Sequence, residues 1–579
     1  MTTWPISDRT SAVFPLYSRA NVGEIFPNPI SPLNASAGFQ ANLELGWRDA
    51  FVACGVWDHD LYDDATEMNI LPAFGSYLYI NMSLMRLFGI RVPGMSAEAV
   101  DLQYFGDMPG IPSYESEARD FDVNEAFEAT AGAWLMNEVL GATDLAAYDA
   151  DRAEVEAIRA SRPDLATLSD RELWDRILSF DVLLRRLFKH HIEASLKSGV
   201  GLGAAAQLAE AVGRPEMALA LVSGIGEVDS AGPSLGMWAL SRLARDAAVA
   251  AAFDAGLDGL HDRLTAATDE ASQQFAKELG EFLHRWDFRG PSEWEIRAVT
   301  WGVDPGMVLA TIDRMRHVGD DQAPEAKNAE RVAQREAAAT EMRAMLAADA
   351  EALGQFEVVL NAAALWLRGR ERGRTTAAML MHELRLPALE LGERAVRAGH
   401  LATREQIFML FKDEIDGFLA DPAAFSATLA DREASYLQLF SKVPPFVVVG
   451  EAPPLSEWET AGSSVGAVVG VGDVIEGVSG CNGVVQGRAR VILDPDDPRD
   501  LEPGEILVAP ITDPSWTPLF VAAAAVVVDV GAPFSHAAIV SRELGIPCVV
   551  SATQATTRLR DGMLLEVDGT KGTVTVLEA

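Results

Sequence analysis

The stretch VVVDVGAPFSHAAIVSRELGIPCVV, Val526 to Val550, reads as strand, turn, helix and strand in direct succession. β-Branched residues run into a Gly531-Ala532-Pro533 turn and Ser535 is a strong N-cap. The apolar helix behind it has Gly545 at its end, with Pro547 barring continuation. One of only nine histidines in 579 residues, His536, stands in the first turn of that helix. Backbone N–H groups there lack intrahelical partners. The helix N-terminus therefore disfavours imidazolium, favours a neutral nucleophilic ring, and can stabilise an anionic group attached to it, with the Ser535 hydroxyl as a further donor. A structural histidine capping a core helix is the competing reading. Metal binding is the weaker one, because Asp529 and Cys548 complete no zinc spacing.

Around this stretch, VVQGRARVIL, EILVAP, LLEVD and TVTVLE read as further short strands, with Gly504, Gly562 and Gly572 marking turns. They define a small α/β module over 470–579. Residues 451–469 are rich in Gly, Ser and Pro and predict a linker. Before it, 12–450 is dominated by helical periodicity, for example in SDRELWDRILSFDVLLRRLFKHHIEASLKSG and ASQQFAKELGEFLHRW. Residues 324–366 read as two or more helices of a bundle. Helix stops are expected at Gly399 and near Leu386-Pro387, and the prolines at 27, 29 and 32 predict an extended, kinked path over 12–46. The fold class is thus multidomain: a mainly helical domain followed by a small α/β domain.

Composition narrows the function classes. The formal charge is -38, which argues against a nucleic-acid partner. The most apolar run, Leu519 to Gly531, is too short to span a bilayer, and the N-terminus has no leader pattern. Three widely separated cysteines fit a reducing, cytoplasmic setting.

Taken together, LEPGEILVAPITDPSWTPLF, GAPFSHAAIVSRELGIPCVV and LRDGMLLEVDGTKGTV resemble the mobile phosphohistidine domain of phosphoenolpyruvate-utilising enzymes. The S-H-x-A-I-x-x-R-E-L-G-I-P core puts that family's phosphorylated histidine on His536. More weakly, RANVGEIFPNPISPL, GEVDSAG, WDFRGPSEWEI, RGRERGR and LELGERAVRAGHLATREQIFMLFKDEI resemble the acceptor region of the rifampicin phosphotransferase branch, to which the large subunit of phenylphosphate synthase is also similar. The resemblance implies a relay. ATP gives a pyrophosphoryl group to the histidine, AMP and phosphate are released with the entry of water, and phosphohistidine then phosphorylates an organic hydroxyl or enolate.

Departures shape the expectation. The family's Gly-Gly is Gly531-Ala532 here, and a Tyr-Gly-His-Arg-Gly run is Trp286-Asp287-Phe288-Arg289-Gly290, so the imidazole base of related transfers has no match. Arg289 and Glu293 are the remaining catalytic candidates beside His536 and Ser535. Arg289 would fork onto phosphoryl oxygens, and Glu293 or Asp287 would replace the base. Arg368 and Arg372, in the densest basic cluster, together with Phe288 and Trp294, are the substrate-binding candidates; a solvated helix end and a plain core are the rival readings. His190 and His191 are adjacent on a helix and cannot both face one site. No Gly-rich phosphate loop precedes residue 19, and no strand repeat makes a phosphoenolpyruvate barrel. The expectation is a separate ATP-grasp subunit that binds ATP and Mg2+ and loads His536, with no metal site on this chain and a flat apolar alcohol or phenol as the small-molecule acceptor. A non-catalytic phosphocarrier, or an interaction protein retaining the swivelling histidine domain, is the alternative.

Overall fold

Val526 to Val550 folds as a strand, a crossover helix and a second strand of one sheet. The computed structural model describes residues 4–58, 69–105, 108, 110–114, 125–215, 217–226, 229, 232–320, 323–460, 468–493, 501–512, 516–531, 535–552 and 554–579. Its eight-stranded sheet runs in the order Val474–Glu476, Thr573–Glu578, Leu564–Asp568, Val484–Val491, Ile506–Ala509, Ala525–Val528, Cys548–Val550, Val478–Cys481. The four strands from Val484–Val491 to Cys548–Val550 are mutually parallel, and the flanking pairs are antiparallel. Helices Thr517–Ala522 and His536–Leu544 are the crossovers. Ile506–Ala509 and Ala525–Val528 are buried throughout, as strands covered on both faces must be. Val508, Val527, Val549, Leu565, Val567 and Val574 share one core.

By their contacts the residues divide into two units. One holds 1–207, 292–298 and 354–463; the other holds 208–291, 299–353 and 464–579. In the second unit, the helix Pro324–Leu346 packs on the His536 helix, and Thr517–Ala522 packs on Gly232–Leu243 and Gly306–Met315. Gly545, at φ 70, ends the His536 helix where a Cβ would stand 2.9 Å from Arg331 Nε. The positive φ is what favours glycine there, since the flexible Arg331 side chain could give way.

The first unit is built on two long helices, Asp181–Ala211 and Ala350–Arg397. They approach closely at Gly201, where a Cβ would sit 3.0 Å from Ala363 Cα, and at Gly373, where it would sit 3.2 Å from His191 Cα. The helix Phe39–Ala53 meets the first of them at Gly46, 2.8 Å from Lys189 N by the same measure. A small sheet places Leu16–Ser18 between Ile80–Asn81 and Val447–Val449. Residues 292–298 enter this unit as a strap. The Glu295 carboxylate accepts from Ser31 N–H, Ser31 Oγ (2.6 Å) and Asn34 Nδ2 (2.9 Å), while buried Arg385 donates to the carbonyls of Glu293 and Glu295 at 2.8 and 2.9 Å.

Two sequence expectations are corrected, and two strands are added. The path over 12–46 is not extended throughout, because Pro32 opens the helix Pro32–Ala37 from its first position, where a missing N–H costs nothing, and Phe39–Ala53 follows. Pro387 does not stop a helix. It lies inside the 48-residue helix Ala350–Arg397, whose buried flank of Leu384, Arg385, Ala388 and Leu391 outweighs the one forfeited hydrogen bond. Val474–Glu476 and Val478–Cys481, inside the expected α/β module but not among the strands read from the sequence, are sheet strands. The stop at Gly399 is present: the helix ends at Arg397 and Gly399 has φ 78. Of the predicted linker, 461–467 lie outside the described residues. Before them Trp458 packs with Tyr17 and Tyr77, and Glu459–Thr460 pairs with Lys442–Val443. Among the described residues, no helix is long and apolar enough to cross a membrane.

Candidate functional site

Parallel strands deliver their following loops to one edge of a sheet, which is where α/β folds place ligands. Two such loops meet here. Thr512 follows Ile506–Ala509, and His536 follows Ala525–Val528; Thr512 Oγ1 lies 3.2 Å from His536 Nδ1. The Phe520 ring stands edge-on to the imidazole, centroids 5.9 Å apart. His536 is 4% exposed. Ser535 caps the helix by accepting from Ala538 N at 3.4 Å, so the local reading of cap, helix and glycine exit holds. His536 Nδ1 is thus within hydrogen-bond reach of the Thr512 hydroxyl inside the domain.

Gly531, which follows the strand, is closely packed. A Cβ on Gly531 would sit 3.1 Å from both Ser535 Oγ and Val550 Cβ, and the Ser551 hydroxyl donates to the Gly531 carbonyl. Ala532, the departure from Gly-Gly, lies outside the described residues. Asp529 ends the preceding strand. Its carboxylate accepts from Thr556 N (2.9 Å) and from the Thr556 hydroxyl, yet burial pushes its pKa up to about 6. Arg542 is buried in the last turn of the helix.

The acceptor-side candidates separate. Arg289 is 2% exposed, its guanidinium 5.2 Å from the Phe288 ring centroid and 5.8 Å from that of Trp286, and its carbonyl accepts from Trp301 N. Contacts assign Arg289 and Phe288 to the second unit, but Glu293 and Trp294 to the first. Glu293 is buried on the strap. Trp294 packs between Phe39 and Phe188, with ring centroids 5.1 and 5.7 Å away. Arg372 is ion-paired with Asp149, and Arg368 is half-buried.

A further cluster, not selected from the sequence, gathers around His191. This imidazole is 6% exposed and stands edge-on to Trp294, centroids 5.2 Å apart. It hydrogen-bonds the Arg370 backbone. Nδ1 has no hydrogen-bond partner among the described residues, so that bond belongs to Nε2–H. Burial first, then the Arg370 and Arg374 guanidiniums, push its pKa down to about 3, against the opposing pull of the Arg370 backbone. The ring is a neutral acceptor at neutral pH. Its neighbour His190 instead pairs with Asp151 at 2.5 Å on a more exposed face, so the two histidines divide as helical geometry requires. Among the described residues, no group of three or more His, Cys, Asp or Glu is arranged to hold a metal ion.

Two family models match the chain: the rifampicin phosphotransferase fourth domain over 190–371, and the mobile domain of PEP-utilising enzymes over 501–572. An uncharacterised protein of Mycobacterium tuberculosis is 31% identical over 590 residues, covering 98% of this chain and 62% of its own length. The rifampicin phosphotransferase of Streptomyces sviceus is 38% identical over 186 residues, 32% of this chain and 20% of that protein. The prodigiosin synthesizing transferase PigC of Serratia marcescens is 30% identical over 319 residues, 53% of this chain and 34% of that protein. The chain spans about three fifths of the length of the mycobacterial relative.

Proposed function

Since the chain belongs to the PEP-utilising enzyme family, in the rifampicin phosphotransferase group with a mobile phosphohistidine domain, we propose that it is a phosphotransferase component that relays a phosphoryl group from ATP through His536 to a small organic hydroxyl or enolate. The observation that carries this reading is His536 itself: an imidazole in the first turn of a capped crossover helix, at the carboxyl edge of parallel strands, with Nδ1 held by Thr512. If Nδ1–H donates to Thr512 Oγ1, the lone pair resides on Nε2. That atom then forms an N–P bond as a phosphoanhydride P–O bond breaks and the leaving oxygen keeps the electron pair. The helix N-terminus stabilises the anion so carried. In the second step the acceptor oxygen bonds phosphorus, the N–P bond breaks, and the acceptor proton passes to a base.

In this reading a separate ATP-grasp subunit binds ATP and Mg2+ and loads His536. Residues 12–450 serve as the acceptor domain and 470–579 as the swivelling carrier, with 451–469 as the hinge. A carrier that must visit two chemically different sites needs such a hinge. Ser535 would donate to the phosphoryl oxygens. Arg289, Glu293, Arg368, Arg372, Phe288 and Trp294 remain acceptor-side candidates, joined by Arg370, Arg374 and His191.

The test is mass spectrometry of base-stable, acid-labile phosphate on His536 after incubation with ATP and Mg2+, with and without a candidate ATP-grasp protein, using His536→Ala as control. Partner-dependent label that is absent from the variant and discharges to a phenol or alcohol is the expected result. Label with no acceptor product marks a phosphocarrier. No label with a partner competent to bind ATP overturns the relay.

A further inference from the structure

Two buried rings that touch in the first unit each carry a polar atom, of opposite sense, without a hydrogen-bond partner among the described residues. His191 Nδ1, an acceptor, and Trp294 Nε1–H, a donor, each lack a hydrogen bond among the described residues, on side chains whose residues are 6% and 1% exposed. Their rings are 5.2 Å apart and almost perpendicular, at 89°. Leaving either atom unmet costs about 1–3 kcal/mol, so the pair calls for a group that both donates and accepts. A hydroxyl does both. An amine that is protonated, a carboxylate or a ketone does not.

The surroundings hold this pair in place. Nε2–H of His191 is fixed by the Arg370 backbone, which keeps the lone pair on Nδ1. The Trp294 carbonyl accepts from Asn34 Nδ2 at 3.1 Å, and the carbonyls on either side of that residue are held by Arg385. Gly373 lets the two long helices close until its own Cβ position would be 3.2 Å from His191 Cα, which brings Arg370 and Arg374 beside the imidazole. Phe39 and Phe188 pack on the Trp294 ring and make its surroundings aromatic.

We propose that His191 Nδ1 and Trp294 Nε1–H seat the hydroxyl of the phosphoryl acceptor, an alcohol or phenol with an apolar body, and that His191 takes its proton during transfer. The inference rests on the phosphotransfer reading and supplies its missing base. The hydroxyl donates to Nδ1 and accepts from Trp294. As its oxygen forms the new O–P bond, the N–P bond of phosphohistidine breaks with the electron pair returning to His536, and the hydroxyl proton moves to His191 Nδ1, which later releases it to solvent. An anionic phosphoryl group drawn to Arg370 and Arg374 would offset the charges that oppose a cationic His191, so the ring becomes a competent base only when the donor has arrived.

The first arm needs no phosphorylation. Histidine-selective 15N NMR of the full chain follows His191 Nδ1 during titration with phenol and cyclohexanol, with anisole and methoxycyclohexane, which lack the O–H, as controls. The hydroxyl compounds are expected to shift Nδ1 toward hydrogen-bonded values while the ethers do not, and Trp294→Phe is expected to weaken the response about 3–10-fold, the worth of one hydrogen bond. An Nδ1 that is already hydrogen-bonded in buffer and unmoved by saturating ligand would assign the pair to a buried water and overturn the proposal. In the second arm, discharge of labelled phosphohistidine to phenol is compared between wild type and His191→Asn, whose amide oxygen keeps an acceptor near Nδ1 but cannot take a proton. kcat is expected to fall about 100-fold or more with KM nearly unchanged; equal kcat would refute the base. Failure of His536 to label at all would sink the relay while the NMR arm still decides the hydroxyl seat.

Discussion

Acidification provides a quantitative test of the buried imidazole pair. His191 is held neutral by burial and by the Arg370 and Arg374 charges, with a native pKa of about 3. His382 is pushed well below the ordinary value by burial and then by Arg385, whose Nη1 donates to His382 Nδ1 at 3.1 Å; Arg162 and Arg159 add to the effect. In the unfolded chain both rings titrate near pH 6.5. Their folded values are depressed, so the unfolded state binds protons that the native state refuses, and stability is full above 6.5 and is lost as pH falls towards the native values. From pH 7 to pH 5 the His191 ring costs about 2 kcal/mol, a figure insensitive in this window to a native value of about 3, and His382 adds to the loss in the same direction. Urea unfolding at the two pH values, for wild type and His191→Asn, isolates one ring, because carboxylates contribute alike to both proteins. The variant is expected to lose about 2 kcal/mol less than wild type over the interval. Equal losses would mean that His191 titrates normally in the folded protein, which would refute its burial beside two guanidiniums.

Other outcomes follow from single contacts. Gly46→Ala puts a methyl within 3.0 Å of Lys189 N, Phe188 Cβ and Arg185 O and is expected to lower unfolding free energy by about 1–3 kcal/mol in thermal or urea melts. Ser535→Ala removes the cap bond to Ala538 N and should cost about 1 kcal/mol of stability by the same measurement. Thr512→Val keeps the shape but removes the partner of His536 Nδ1; the rate of label uptake at His536, followed by phosphopeptide mass spectrometry, is expected to fall about 3–10-fold with the label still on His536.

The histidine-bearing sheet was legible because its signals are local. A β-branched run, Ser535, an apolar helix, Gly545 and Pro547 each constrain the next few residues, and the structure has the strand, the capped helix, its glycine exit and the following strand where they imply them. The two missed strands, Val474–Glu476 and Val478–Cys481, fail for the complementary reason. Their pairing partners are Thr573–Glu578 and Cys548–Val550, far along the chain, and a Gly-rich composition carries no periodicity to announce them. Thr512 escaped notice likewise, since its link to His536 passes through the parallel register of two strands and not through sequence proximity.

The helical region shows where pattern reading stops. The run RGRERGR places arginines at 368, 370, 372 and 374, and glycines at 369 and 373. Glycines four apart share one helix face and signal close approach of a neighbour, which is where Leu145 and His191 lie. The arginine pair before the glycines and the pair after them flank that face at similar angles, so helical geometry alone cannot choose between them. The neighbours decide. Asp149 takes Arg372 in an ion pair, whereas His191, on a helix far earlier in the chain, has Arg370 and Arg374 as the charges that depress its pKa. Choosing between them needs the crossing of Asp181–Ala211 with Ala350–Arg397 and the strap that brings in Trp294. The base absent from the Trp286–Gly290 motif is therefore best sought across that helix crossing, on the residue that already presents an unmet lone pair beside two guanidiniums.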